Sequence, residues 1–131
     1  MDTIGKHLLL ELHGCDKALL NDLNYIKKCM TESAEKANAT IVNSTFKAFD
    51  PQGVTGVVVL EESHISIHTW PEKEYASLDF YTCGNAEPVN AKQHMENALQ
   101  AAVAISTIIN RGLTMEAGGM KAQATKIEDI N

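Results

Sequence analysis

The stretch Glu61-Glu62-Ser63-His64-Ile65-Ser66-Ile67-His68-Thr69-Trp70-Pro71-Glu72 reads as a strand that Pro71 ends. A strand ordinarily gains stability by packing apolar side chains, and half of these residues do little for packing. This one carries a serine behind two carboxylates, two histidines and a Trp-Pro-Glu ending. The chain around it must therefore form a sheet while holding chemistry-bearing side chains on that sheet.

The flanking segments supply the sheet. Residues 5–15 run from Gly5-Lys6-His7 into Leu8-Leu9-Leu10 and Leu12, a predicted strand. Asp16 is a predicted N-cap for a helix in which Leu19, Leu23, Ile26, Met30 and Ala34 recur at three- and four-residue steps, fading near Asn38. Residues 40–49, 54–60, 64–70 and 75–83 read as four strands, with a Pro-Gly turn at Asp50-Pro51-Gln52-Gly53. Residues 89–104 read as a second helix with Ala91, Met95, Ala98 and Ala102 inward, and Ile105 to Ile109 as a last strand. The tail from Gly112 is polar and expected to be loose. This order predicts an α+β, two-layer sandwich: a largely antiparallel sheet with two helices on one face, spanning 1–131 as one domain. The other sheet face is left to a partner, most simply a second copy of the chain.

Composition excludes several classes. The balance is acidic, 17 carboxylates against 11 basic residues, and Arg111 is the one arginine. Phosphate binding needs clustered Lys and Arg, so no nucleic-acid partner is expected. No apolar run approaches the roughly 20 residues of a membrane span, so no membrane partner is expected either. Cys15, Cys29 and Cys83 form no Cys-x-x-Cys pair and are odd in number, which argues for reduced thiols and a cytoplasmic location.

His64 and His68 suggest a metal site, since His-x-x-x-His binds zinc on a helix. Along a strand, four residues span roughly 13 Å at about 3.3 Å each. Two zinc ligands must each lie about 2.1 Å from the ion, so no metal is expected to bridge this pair. A serine-hydrolase reading fails as well. Ser63 lacks the Gly-x-Ser-x-Gly elbow, and its glutamate neighbours would repel an oxyanion. Taken singly, each residue has an ordinary explanation: Ser63 in a turn, His68 hydrogen-bonded in a sheet, Cys83 as a small buried apolar group.

Their joint occurrence carries more. In order come Gly5-Lys6-His7, the Glu-Leu-x-Gly-Cys-Asp run at 11–16, Phe46-Lys47-Ala48-Phe49 before Pro51, Gly53 to Val59, Glu62 to Glu72, Tyr75-Ala76 and Tyr81-Thr82-Cys83-Gly84. This series resembles the bacterial S-adenosylmethionine decarboxylases, whose pattern is a Glu-Ser-His cleavage site followed by Ile-His-Thr-Trp-Pro-Glu.

The resemblance implies that Ser63 attacks the Glu62 carbonyl, turning the amide into an ester. Elimination then splits the chain into 1–62 and 63–131, and the dehydroalanine left at residue 63 loses ammonia to become a pyruvoyl cofactor. The site must twist or polarise the Glu62–Ser63 amide, because peptide resonance resists attack. The pyruvoyl ketone would form a Schiff base with the substrate amine and accept electrons as carbon dioxide leaves, replacing pyridoxal phosphate. His68 matches the processing acid or base and Cys83 the proton donor of catalysis, while Thr55, where close relatives have serine, would support processing through its hydroxyl by stabilising the ester-forming intermediate. Glu72 would hold the ribose hydroxyls and Phe49 would stack on adenine, with His13 where the family often has a second aromatic. The product would be the aminopropyl donor for spermidine synthesis.

Residues 63 and 68 are five apart, so a regular strand points them to opposite faces. Either a turn or bulge begins at Ser63, or the two act in different active sites; the second option is favoured, because the resemblance implies a site built at a dimer interface from both protomers. Two alternatives of function stay open: a same-fold pyruvoyl enzyme acting on arginine or ornithine, and an unprocessed homologue without catalysis.

Overall fold

The computed structural model of the chain describes residues 3–113, together with the backbone of 127–130. Strand β1 (Gly5–His13) leads to the single-turn helix α1 (Lys17–Leu20) and to α2 (Leu23–Lys36). Strands β2 (Ile41–Ala48), β3 (Val54–Leu60) and β4 (Ser63–Trp70) follow, then a 3-10 turn at Pro71–Lys73 and β5 (Tyr75–Cys83). Helix α3 (Pro88–Ala98), β6 (Val103–Arg111) and β7 (Ile127–Ile130) complete the order. The strands make one sheet in the order β2-β3-β4-β5-β1-β6-β7, with every pairing antiparallel. The expected α+β two-layer sandwich is the observed fold.

Period-two alternation makes the layers. Leu8, Leu10 and Leu12 of β1, Ile65 and Ile67 of β4, and Leu78 and Phe80 of β5 are buried beneath the helices. Ile26, Met30 and Ala34 of α2 and Ala91 and Met95 of α3 meet them from above. The intervening residues, among them His7, Leu9, Glu11, His64, Ser66, His68, Asp79 and Tyr81, occupy the opposite face, which no described helix covers. Among the described residues no helix is long and apolar enough to cross a membrane.

The largest departures from the expected boundaries fall at the helices and the last strand. The helix after Asp16 is two helices, because Asp22 caps a second one by accepting from the Tyr25 N–H at 3.0 Å, while Asp16 caps the first through Leu19. The break has a use: Asn21 Oδ1 accepts from the Gly53 N–H at 2.9 Å and so pins the loop between β2 and β3. Helix α3 stops at Ala98 rather than 104, where Tyr25 donates its hydroxyl to the Ala98 carbonyl at 2.7 Å and Gln100 turns the chain with φ 55. That leaves Val103–Arg111 free to pair fully with β1, a longer strand than 105–109. Of the tail expected to be loose, 114–126 and 131 lie outside the described residues, and 127–130 pairs with β6.

Replacing Asp22 with alanine removes the cap of α2 and the break that positions Asn21. A Ser63→Ala background guards the measurement against the cleavage expected at Glu62–Ser63. Asp22→Ala is expected to lower the free energy of unfolding there by about 1 kcal/mol, read as a shift in denaturant midpoint at unchanged slope.

Candidate active site

Strand β4 carries expected site residues toward both of its ends. At its start, β3 and β4 form a hairpin in which Leu60 pairs with Ser63, so Glu61-Glu62 is a two-residue turn. Such turns normally take left-handed φ at their central residues, which glycine or asparagine supplies easily. Here neither glutamate has positive φ, and Ser63 takes φ 146 instead. A non-glycine residue held there stores roughly 1–3 kcal/mol of backbone strain. Glu62, on the N-terminal side of the Glu62–Ser63 bond, is held at two points. Its Oε1 accepts from the Thr40 N–H at 2.9 Å, and its carbonyl oxygen accepts from the Cys83 thiol at 3.0 Å. The Glu62–Ser63 peptide is thus strained at one atom and polarised at another. Cys83 can reach it because β5 ends beside β4: His64 pairs with Tyr81, and Cys83 lies two residues further on the same face. A cleft of ≈ 470 Å³ beside this bond is lined by Glu61, Glu62, Ser63, Tyr81 and Cys83, with Thr3 and Gly112.

The far end of β4 holds a different set. Thr55 is paired with His68 across the β3–β4 ladder, and Thr55 Oγ1 and His68 Nδ1 share a 3.1 Å hydrogen bond. Both line a cleft of ≈ 320 Å³ with Phe49, Trp70 and Glu72. The loop carrying Phe49 is closed by the Phe49 N–H on the Gly53 carbonyl at 2.8 Å, and Gly53 is the residue pinned by Asn21. Thr69 ties the same region to the helices, donating to the Leu20 carbonyl at 2.8 Å and accepting from the Val54 N–H at 2.9 Å. His13 lies nearby but is already stacked on Tyr75 at 4.9 Å, and Tyr75 on Trp70 at 5.2 Å, a three-ring column beside the cleft.

The site residues expected from sequence therefore fall into two groups. Glu62, Ser63 and Cys83 meet at one end; Phe49, Thr55, His68 and Glu72 meet at the other, with His13 beside them. Ser63 and His68 are separated by roughly 16 Å of strand at about 3.3 Å per residue. The parity conflict has its turn: Ser63 belongs to the hairpin, and its Oγ contacts His64 Nδ1, on the open face.

A polar cluster on the open face was not singled out in the sequence. Asp79 receives His7 Nε2 at 2.5 Å and His64 Nε2 at 3.3 Å on one oxygen, and the Ser66 hydroxyl on the other. Alternation along β5 held the signal, since residues 79, 81 and 83 share a face. Ligand-type atoms of His7, His64 and Asp79 lie within 4.8 Å of one another, a spacing that suits a metal ion. Arg111 argues for hydrogen bonds instead. Its Nη1 lies 3.1 Å from His7 Nδ1, and a guanidinium only donates, so Nδ1 accepts and the neutral ring carries its proton on Nε2 toward Asp79. The Tyr81 ring, stacked on His7 at 4.9 Å and lying under Arg111 at 4.5 Å, holds both in place. Burial pushes the Asp79 carboxyl up, but hydrogen bonds from His7 and Ser66 and the nearby histidines outweigh it, bringing it from 3.8 down to about 2.

A depressed carboxyl stabilises the fold fully above its unfolded value and loses that contribution as pH falls through its folded value. For Asp79 the window runs from about pH 4 to about pH 2, and the contribution is on the order of 2 kcal/mol. Denaturant midpoints of the uncleaved chain should fall across that window. Asp79→Asn should start lower and lose that part of the slope; an unchanged slope would mean another carboxylate is responsible.

Residues 6–112 match the family model described as S-adenosylmethionine decarboxylase. The S-adenosylmethionine decarboxylase proenzyme of Clostridium tetani is 42% identical over 123 residues, 93% of this chain and 98% of the relative. That of Caldicellulosiruptor saccharolyticus is 46% identical over 114 residues, 86% of this chain and 92% of the relative. That of Pyrococcus horikoshii is 46% identical over 117 residues, 88% of this chain and 84% of the relative. The crystal structure of the adenosylmethionine decarboxylase from Aquifex aeolicus superposes with a TM-score of 0.81 at 34% identity, covering 91% of this chain and 99% of that one. The chain belongs to the S-adenosylmethionine decarboxylase family.

Proposed function

We infer that the protein is an S-adenosylmethionine decarboxylase made as a proenzyme, which cuts itself between Glu62 and Ser63 and works in the cytoplasm as a homodimer or a higher assembly. The observation that carries this reading is the state of the scissile peptide: Ser63 at φ 146, with the Glu62 carbonyl held by the Cys83 thiol at 3.0 Å. The name proenzyme carried by the Clostridium tetani relative supports it.

In this reading Ser63 Oγ bonds to the Glu62 carbonyl carbon while the C–N bond breaks, giving an ester and a free amine. The Cys83 S–H faces the oxygen on which charge gathers. Abstraction of the Ser63 α-proton then breaks the Cβ–Oγ bond, releasing 1–62 with a carboxylate end. Water replaces the nitrogen, which leaves as ammonia, and 63–131 begins with a pyruvoyl group.

Ser63 with its neighbours Glu62 and Cys83 fits formation of that group, since a hydroxyl, a polarised carbonyl and a thiol donor converge there. The pyruvoyl supplies a ketone that captures the substrate amine and withdraws electrons from its α-carbon. Cys83 delivers the proton to that carbon. Phe49, with Trp70 beside it, offers stacking surface for adenine, and Glu72 accepts from the ribose hydroxyls. His13, in the ring column, extends that surface.

His68 and Thr55 are too distant to serve the Ser63 of their own protomer. A second copy laid over the open sheet face in the opposite direction brings them to it. Leu9, Val57, Val59, Trp70 and Ile105 on that face are exposed apolar groups of the kind such an interface covers.

Purified protein should run as two fragments, 62 residues and 69 (131 − 62). The larger should be blocked at its N-terminus and lighter by one ammonia than a serine-led chain. Ser63→Ala should stay whole. His68→Ala should accumulate an ester-linked chain that hydroxylamine splits. Cys83→Ala should be cleaved more slowly and then turn over poorly, roughly 100-fold or more down as for the loss of a general acid. A wild-type chain that stays intact on prolonged incubation would favour a non-catalytic homologue.

Carboxyl-labelled substrate fixes specificity. A sulfonium and an adenine need stacking surface and a diol acceptor, whereas a guanidinium would want a bidentate carboxylate at its far end. Release of label should be fastest from S-adenosylmethionine; faster release from arginine or ornithine would overturn the substrate and leave the cleavage chemistry standing.

A further inference from the structure

The acyl shift needs a base for the Ser63 hydroxyl, and His68 is roughly 16 Å along the strand from it at about 3.3 Å per residue. His64 is in contact. Its Nδ1 lies 3.3 Å from Ser63 Oγ, and its Nε2 lies 3.3 Å from Asp79 Oδ2. We propose that His64, oriented by Asp79, is the general base that takes the Ser63 proton as Oγ attacks the Glu62 carbonyl. This rests on the self-cleavage reading above and assigns one step of it to a residue of the same protomer.

The hydrogen-bond directions support the assignment. Asp79 is ionised and can only accept, so His64 must present an N–H at Nε2. The neutral ring then has its lone pair on Nδ1, the atom that faces Ser63. The carboxylate cannot swing away, because Ser66 holds its Oδ1 and His7 its Oδ2, with Arg111 fixing the His7 tautomer. Serine, imidazole and carboxylate are thus linked in series, and the carboxylate steadies the imidazolium that forms. A 3.3 Å contact in the resting state shortens as Oγ moves onto the carbonyl carbon.

The step balances within the protomer. His64 Nδ1 takes the hydroxyl proton, and Oγ bonds to the Glu62 carbon. The carbonyl π pair moves onto the oxygen that the Cys83 thiol donates to. As the oxyanion collapses, the C–N bond breaks and His64 returns the proton to the Ser63 nitrogen, which leaves as an amine. No external acid, base or oxidant is consumed. His64 acts before the ester exists, and His68 of the second copy acts after it, on the α-proton.

Hydroxylamine, which splits esters and spares ordinary amides, separates the two stages. His64→Ala should release the 62-residue fragment between about 100-fold and 10,000-fold more slowly than wild type, the range for a lost general base. Its uncut chain should resist hydroxylamine, whereas the His68→Ala chain should be split by it, and added imidazole should restore part of the rate. Asp79→Asn turns an amide toward His64 Nε2, favours the wrong tautomer, and should slow cleavage at least tenfold. Where His64→Ala fails to fold, Asp79→Asn carries the test alone. Cleavage of either variant within about threefold of the wild-type rate, or a hydroxylamine-labile ester in His64→Ala, would overturn the proposal. An uncleaved wild type would remove the self-cleavage reading instead.

Discussion

A β-strand cannot shorten, and in this protein β4 holds a serine at one end and a histidine at the other. The pleat advances about 3.3 Å per residue, so Ser63 and His68 stay roughly 16 Å apart however the side chains turn. Both strand neighbours fix β4: Thr55 pairs with His68 from one side, and Tyr81 pairs with His64 from the other. The separation is thus set by the ladder hydrogen bonds of three strands. Chemistry that needs both ends must bring the far end of another copy to the near end of this one.

The open face suits that demand. Its apolar residues, such as Val57, Val59 and Ile105, lie around a polar strip running from Arg111 through His7 and Asp79 to Ser66. A strip of unpaired polar groups would be costly to cover, because buried donors and acceptors must find partners. Here the partners are supplied within the protomer. Asp79 accepts three bonds and Glu11 accepts from Tyr75 and Ser77, so the face can be covered without stranding these carboxylates. The same internal pairing that makes the face coverable also sets the direction of His64.

Much of this was legible in the sequence, and most of what was not shares a cause. The layers follow from alternation within single segments, which is why Leu8, Leu10 and Leu12 and the α2 face could be read directly. That Glu62, Ser63 and Cys83 belong together was implied by the family resemblance of the motifs that carry them. The role of Asp79 was not, because it depends on which residues of β1, β4 and β5 stand side by side. That register joins residues 13 to 72 apart in sequence. The same holds for Arg111, which reaches His7 across a sequence separation of 104. The split between α1 and α2 was missed for a local reason: the apolar spacing continues across it, and only the second aspartate, Asp22, marks the break.

In the proposed function each site takes Ser63 from one protomer and His68 from the other. Co-expression of Ser63→Ala with His68→Ala tests it, because a mixed dimer then contains one site with both native residues. Random pairing makes half of the dimers mixed with one intact site in each, so cleavage should reappear and activity should reach roughly a quarter of wild type. A co-expressed sample as uncleaved and inactive as either variant alone, with mixed dimers shown to have formed, would contradict the shared site.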